Sequence, residues 1–329
     1  MPTHTPSLRR RTLLGALAAT PLSWAATAAT TDWPRKPIKL VVTFPPGGSS
    51  DLVARLLAPA LGEQLGQPVV IENKPGAGSS IGAQQVAQSP ADGYTLLASN
   101  SAALSIAPSL LEKRSYDPSR SFVHLAYIGA VPTVFALHPS VPAHSIEALA
   151  AWIRSQPGAL PFGSGGAASV GHLVGEQFAQ ALGLKLQHVP YKGAGPMRSD
   201  LLGGQIRMAV DALPQNIPLQ QQGRIKLLAV TSARRVPQAP NTPTVAELGY
   251  AQLESENYVG ISAPAGVPAG VAARISQAVR QACLRPAIAQ ALQAQGFATQ
   301  DMEPAAFAHL VAAQSATWGR IAQRTGATL

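Results

Sequence analysis

The sequence predicts an α/β protein of two lobes, each a mainly parallel sheet flanked by helices, joined by a hinge of crossing segments. Two observations carry that prediction. Short β-branched runs alternate with helical runs, the pattern of parallel strands covered on both faces. One local device, a strand, a Gly/Ser loop and a helix, also occurs twice, more than a hundred residues apart.

The first copy starts with residues 38–44 (IKLVVTF), breaks at Pro45-Pro46-Gly47-Gly48-Ser49-Ser50-Asp51, and continues as a helical pattern over residues 52–65. The second starts near Leu160-Pro161-Phe162, breaks at Gly163-Ser164-Gly165-Gly166-Ala167-Ala168-Ser169, and continues over residues 170–182. A helix N-terminus carries unpaired N–H groups and partial positive charge, so it attracts anions. Glycines let the backbone approach a ligand, and serine hydroxyls add donors. Two such cups predict two lobes closing on one anionic ligand.

Other elements follow the same alternation. Residues 69–72 read as a strand, 73–79 as a loop, 81–88 as a helix and 94–98 as a strand. Residues 123–128 and 133–137 are two extended pieces with no good helix between them. Ser145 is placed to cap a helix over residues 146–156, with Glu147 complementing its first turn. Strands are expected at 185–189, 206–210 and 225–230, with short helices around 197–202 and 214–222. Residues 258–263 are extended again. Pro268, Pro286 and Pro304 open three closing helices, as proline does at a first helical position. Residues 123–137 and 255–263 are the expected crossings, so one lobe draws on both ends of the chain.

The N-terminus reads as an export signal. Arg9-Arg10-Arg11 precedes an apolar run over residues 12–19 and a small-residue stretch ending in Ala26-Thr27-Ala28. Arg10-Arg11-Thr12-Leu13-Leu14 fits a twin-arginine pattern as well as an ordinary Sec one. Cleavage after residue 28 or 29 leaves Ala29 or Thr30 first, in the periplasm. The apolar run is shorter than the roughly 20 residues of a membrane span. Losing those three arginines, the only charged residues before position 32, lowers the formal charge from +9 to +6. No basic stripe interleaved with aromatics is present, which argues against nucleic acid, while a mildly positive body suits acidic small molecules. Cys283, the single cysteine, stands at helical spacing with Ile275 and Val279 and reads as a core residue; no internal disulfide is possible.

Rival chemistries leave incomplete marks. Gly163 to Ala168 match the dinucleotide pattern G-x-G-x-x-A, but the next strand ends in Gln187-His188-Val189-Pro190, with no acid for a ribose. Ala167-Ala168-Ser169-Val170-Gly171 is a degenerate nucleophile elbow with Asp211 and His309 following in hydrolase order, which keeps an exported α/β hydrolase using Ser169 as the alternative. His138 and His144 stand in a Pro-rich loop and His172 is alone on a helix, so neither a metal nor another cofactor is expected.

Six motifs then occur in order: FPPGGSSD at 44–51, NKPGAG at 73–78, DGYTLL at 92–97, VGHLVGEQF at 170–178, VPYKG at 189–193 and APAGVP at 263–268. Together they resemble the Bug/TctC family, the extracytoplasmic solute-binding receptors of tripartite tricarboxylate transporters, over essentially the whole mature chain. The resemblance implies a periplasmic-binding-protein fold with no catalytic residue and a cleft that takes a small carboxylate. It implies a first wall from Pro46, Gly47, Gly48, Ser49, Ser50 and Asp51, completed by Gly76, Ala77, Gly78, Ser79, Ser99 and Asn100. Across the cleft it places Ser164, Gly165, Gly166, Ala168, Ser169 and His172, then Tyr191, Lys192 and Gly193, then Asp211, which could read an ammonium or hydroxyl group. A tryptophan common near the family's return crossing is replaced here by Tyr258. The expected division is a signal peptide over 1–28, one lobe from 29–130 with 258–329, and a second from 131–257. Expected partners are the ligand and membrane permease subunits, or a sensor kinase, with the receptor itself a monomer.

Overall fold

Strand β1 (Ile38–Val42) is almost wholly buried, as expected of a β-branched run covered on both faces. It belongs to a computed structural model that describes residues 1–3 and 32–329. The expected signal peptide therefore lies, apart from its first three residues, outside the described residues. After β1 come α1 (Ser49–Leu65), β2 (Val69–Asn73), α2 (Ser80–Ala87) and β3 (Thr95–Asn100). A π turn over Ala102–Ile106 runs into α3 (Ala107–Leu110), and β4 (Phe122–Leu137) follows. Next are α4 (Ile146–Arg154), β5 (Leu160–Ser164), α5 (Val170–Leu182), β6 (Leu186–Pro190), α6 (Ala194–Leu202) and β7 (Met208–Ala212). The remainder is α7 (Ile217–Gln221), β8 (Lys226–Val230), β9 (Glu256–Pro264), α8 (Ala269–Leu284), α9 (Pro286–Ala294), β10 (Ala298–Thr299) and α10 (Pro304–Thr325).

The strands run β2-β1-β3-β9-β4-β7-β5-β6, with β8 and β10 also paired to β4. Pairing is parallel in the outer part of each lobe, where β1 joins β2 and β3, and β5 joins β6 and β7. Helices make those crossovers. Strands β4 and β9 run antiparallel to each other, β9 also to β3 and β4 also to β7. β4 pairs with β9 from Phe122 to Pro132 and with β7 from Thr133 to Leu137, so one uninterrupted strand passes from the first lobe's sheet to the second's. The sequence pattern reads as two pieces there.

Each sheet is covered on both faces. In the first lobe Leu40, Leu57, Leu61, Ile261 and Val279 pack on one side, and Val41, Leu97, Tyr258 and Phe307 on the other. In the second, Phe135, Phe162, Val174 and Phe178 form one layer, and Val134, Met197, Ala209 and Val230 the other. Helix α10 contributes to both lobes: Phe307 and Val311 belong to the first core, Trp318, Ile321 and Ala322 to the second. Cys283 packs half-buried against the first lobe's core, where burial pushes its thiol up to about 11. Among the described residues no helix is long and apolar enough to cross a membrane.

Candidate functional site

Three helices begin on one cavity. Its volume is about 70 Å³, and its lining includes Gly48, Ser49 and Ser50 at the start of α1, Ser169, Val170 and Gly171 at the start of α5, and Gly193 and Ala194 at the start of α6. The α1 and α6 termini carry no side-chain cap. Their first N–H groups have no acceptor within the helix and face the cavity with the positive end of the helix dipole. Phe44, Pro45, Gly165, Ala102, Thr133, Val210, Asp211, Ala212, Gln215 and Asn257 complete the wall.

The α1 loop is held from behind by Asp51. Its Oδ2 accepts from the Gly47 N–H at 3.0 Å and from Arg55 Nε at 2.9 Å, and its Oδ1 accepts from Asn73 Nδ2 at 2.9 Å. Burial pushes this carboxyl up, but the hydrogen bonds from Arg55, Asn73 and Gly47 outweigh it, and the group lies below its ordinary range. Asp51 thus shapes the cup without lining the cavity. Gly47 spends its N–H on Asp51 and adopts φ +89°, a left-handed value that a side chain resists.

The α5 cup has its own scaffold. Ser169 caps the helix by accepting from the His172 N–H, and His172 Nδ1 accepts from the Ala168 N–H, each at 3.2 Å. The arrangement differs from a capping box in that the imidazole accepts from the residue before the cap, while the Ser169 N–H donates to the Gly166 carbonyl at 3.2 Å. The His172 ring stacks on His188 at 3.8 Å and 11°. His188 Nε2 meets Ser164 Oγ at 2.7 Å, and Ser169 Oγ donates to Ser164 Oγ at 3.2 Å. Burial drives His172 down to about 4. Burial, with the His172 ring adding to it, drives His188 down to about 3, so both rings are neutral near pH 7. Gly171 fits because an added Cβ would sit 2.1 Å from the Val210 carbonyl oxygen on β7.

Asp211, at the end of β7, accepts on Oδ2 from Arg198 Nη1 at 3.2 Å and from Asn216 Nδ2 at 2.9 Å. Burial raises its carboxyl against the lowering pull of Arg198 and Asn216. Arg198 also reaches the Gly47 carbonyl at 3.5 Å, a contact between lobes, and Asn257 Nδ2 on β9 donates to Ser49 Oγ at 3.2 Å.

Of the residues singled out in the sequence, Gly48, Ser49, Ser50, Gly165, Ser169, Gly193 and Asp211 line the cavity. The others stand elsewhere. Pro46, Gly47 and Asp51 form the back of the first loop. Gly76, Ala77, Gly78 and Ser79 make a turn of four positive φ angles, in which an added Cβ on Gly78 would lie 2.7 Å from Ala168 of the other lobe. Ser99 is fully buried, and Asn100 donates to Thr43 and accepts from the Ala103 N–H. Ser164, Gly166, Ala168 and His172 build the α5 scaffold. The Tyr191 hydroxyl donates to Asp200 at 2.7 Å, and the Lys192 side chain is outside the cavity lining. Tyr258 is buried with its hydroxyl 3.1 Å from Ser105, not on the cavity. His309 lines a different pocket, with Phe122 and His124, so the hydrolase-order residues Ser169, Asp211 and His309 do not come together.

Sequence reasoning missed the α6 terminus, Gln215, Asn257 and Arg198. Gly195-Pro196 reads as a break, which hid the true start of α6. Asn216, five residues after Asp211, was the one local sign of a partner for that carboxylate.

Residues 53–327 match the family described as tripartite tricarboxylate transporter family receptor. The chain belongs to that family. It is 34% identical to protein BugT of Bordetella pertussis over 306 residues, which are 93% of this chain and 94% of BugT. Among solved structures, Rpa4515 of R. palustris with adipate superposes with a TM-score of 0.86 at 33% identity, covering 91% of this chain and 100% of that one. MatC of Rhodopseudomonas palustris with bound malate gives 0.83 at 27% identity, covering 88% and 99%. The receptors of this family are periplasmic solute-binding proteins, and this chain has their two-lobed α/β fold.

Proposed function

We propose that the cavity takes the carboxylate of a small organic acid and that the protein delivers this acid to the membrane permease of a tripartite transporter. The observation that carries the reading is the convergence of the α1, α5 and α6 N-termini on one cavity, in which Asp211 is the only charged residue among the described lining. An anion is held there by N–H groups and the hydroxyls of Ser49 and Ser50 rather than by a cation. Relatives solved with adipate and malate support the same class of ligand. The receptor is non-catalytic, monomeric and exported to the periplasm on a Sec or Tat-like leader cleaved before Ala29 or Thr30. The lobes that move are 29–130 with 258–329, and 131–257, hinged where β4 and β9 cross.

The test is a thermal-shift screen over small carboxylates, followed by calorimetry with the methyl ester of whichever acid binds. Hydrogen bonds to a charged group contribute roughly 1.5–3 kcal/mol each, so esterification is expected to weaken binding at least about a hundredfold. An ester that binds as well as its acid removes the basis of the reading.

A further inference from the structure

Once the helix termini take the ligand's carboxylate, the remainder of the ligand meets the rest of the polar lining; any preference among acids that this lining imposes depends on that reading of the cavity. The rest of the lining is Thr133, Asp211, Gln215 and Asn257. Two features of it are unusual. The Gln215 side-chain Nε2 is buried and has no hydrogen-bond partner among the described residues. A donor left in that state is costly unless something supplies an acceptor. Asp211, 6% exposed, is the charged group of the described lining. Arg198 and Asn216 both bond its Oδ2, so Oδ1 keeps acceptor capacity. Arg198 itself does not line the cavity; its charge is already committed to Asp211 and its other nitrogen to the Gly47 carbonyl.

The wall therefore offers an orphan donor and a carboxylate, with no free cation among its described residues. A second carboxylate on the ligand would find the donor, but it would also face Asp211 with like charge in a space shielded from water. A group that both accepts and donates suits the two features at once. We propose that the ligand is a monocarboxylate whose far end is an uncharged donor–acceptor group, best matched by a primary carboxamide. Its oxygen accepts from Gln215 Nε2 and its N–H donates to Asp211. On this basis the protein prefers half-amides to the dicarboxylates found with the R. palustris relatives.

Calorimetry on the mature chain at pH 7.5 with four matched pairs tests this: malonate and malonamate, succinate and succinamate, glutarate and glutaramate, adipate and adipamate. The half-amide is expected to bind at least tenfold tighter than its diacid at one chain length or more. For that pair, Asp211→Asn is expected to narrow or reverse the preference, because the repulsion is gone. Gln215→Leu is expected to weaken the half-amide at least tenfold. A diacid equal to or tighter than its half-amide at every length overturns the inference and leaves the carboxylate receptor standing. A preference that survives Asp211→Asn unchanged overturns the role given to Asp211. Binding by none of the eight compounds to folded protein overturns the inference, and the carboxylate reading falls with it only when the wider screen also finds no acid that binds.

Discussion

The stacked imidazoles under the α5 cup tie the site to pH through single residues. His172 Nδ1 must be bare to accept from Ala168, and two rings 3.8 Å apart cannot both carry charge cheaply. Glu176 Oε1, 3.9 Å from His172 Nε2, is itself raised by burial and gives little help to an imidazolium. Both histidines titrate lower in the fold, at about 4 and 3, than the 6.5 of an unfolded chain. The unfolded state then binds more protons between those values, so stability is full above pH 6.5 and falls as pH drops from there toward 4. His124, buried at about 4, adds a background of the same sign elsewhere in the first lobe. Asp51 works in another window: its pKa is depressed below 3.8, so its contribution is present above that value and is lost only at lower pH. Scanning calorimetry of wild type is therefore expected to show a falling Tm between pH 6.5 and 4. The double variant His172→Gln, His188→Gln is expected to start from a lower Tm but to show a shallower slope. An unchanged slope would mean that the stacked pair is not what acid attacks.

At the scale of elements, the seating of α5 shows how packing sets site geometry. Its first turn lies directly on β7, and Gly171→Ala would put Cβ 2.1 Å from the Val210 carbonyl oxygen. Backbone cannot rotate away as a side chain does, so the helix must lift, moving the Val170 and Gly171 N–H groups. We expect a loss of about 1–3 kcal/mol in urea unfolding, together with weaker ligand binding. Ser145→Ala is the contrast: it removes the cap accepting from the Ala148 N–H of α4, costs about 1 kcal/mol, and leaves affinity unchanged. Equal effects on affinity would separate the α5 seating from the site. Ser145 also marks what was legible in the sequence. Caps, prolines and apolar periodicity give α4, α8, α9 and α10 nearly to the residue, and both Gly/Ser cups. They do not give β4 as one strand, because Gly129 and Pro132 read as breakers. Gly129 lets β10 approach, since an added Cβ there would lie 2.8 Å from the Ala298 carbonyl oxygen, and Pro132 offers its own carbonyl to the Leu213 N–H. The π turn after β3 also went unread, because a short Ala- and Ser-rich run has no period to detect. Partners such as Arg198 for Asp211, or His188 for Ser164, depend on which strands become neighbours, and local pattern does not encode that.

For the whole molecule, the consequence to test is how far the two lobes act as one. Their cavity is closed by contacts between lobes: Arg198 to the Gly47 carbonyl, and Gly193 close against Pro45. Those contacts must break when the cleft opens, and each is a single hydrogen bond or touch. A larger tie lies behind the hinge. Helix α10 places Phe307 and Val311 in the first core and Trp318, Ile321 and Ala322 in the second, and β4 is continuous through both sheets. Loosening α10 at one end should therefore be felt at the other. Trp318 is 3% exposed, and Trp318→Ala is expected to cost about 3–5 kcal/mol as a large-to-small core change. Native-state hydrogen exchange can say where that loss falls. If the lobes were independent units on a flexible hinge, protection would drop for β5 and β7 in the second lobe and hold for β1 and β3 in the first. We expect β1 and β3 to lose protection by the same amount as β5 and β7, because the two cores share a helix and a strand and open in one global step. Loss confined to β5 and β7 would assign α10 to the second lobe as a local buttress, and closure would then rest on the β4 and β9 crossings alone.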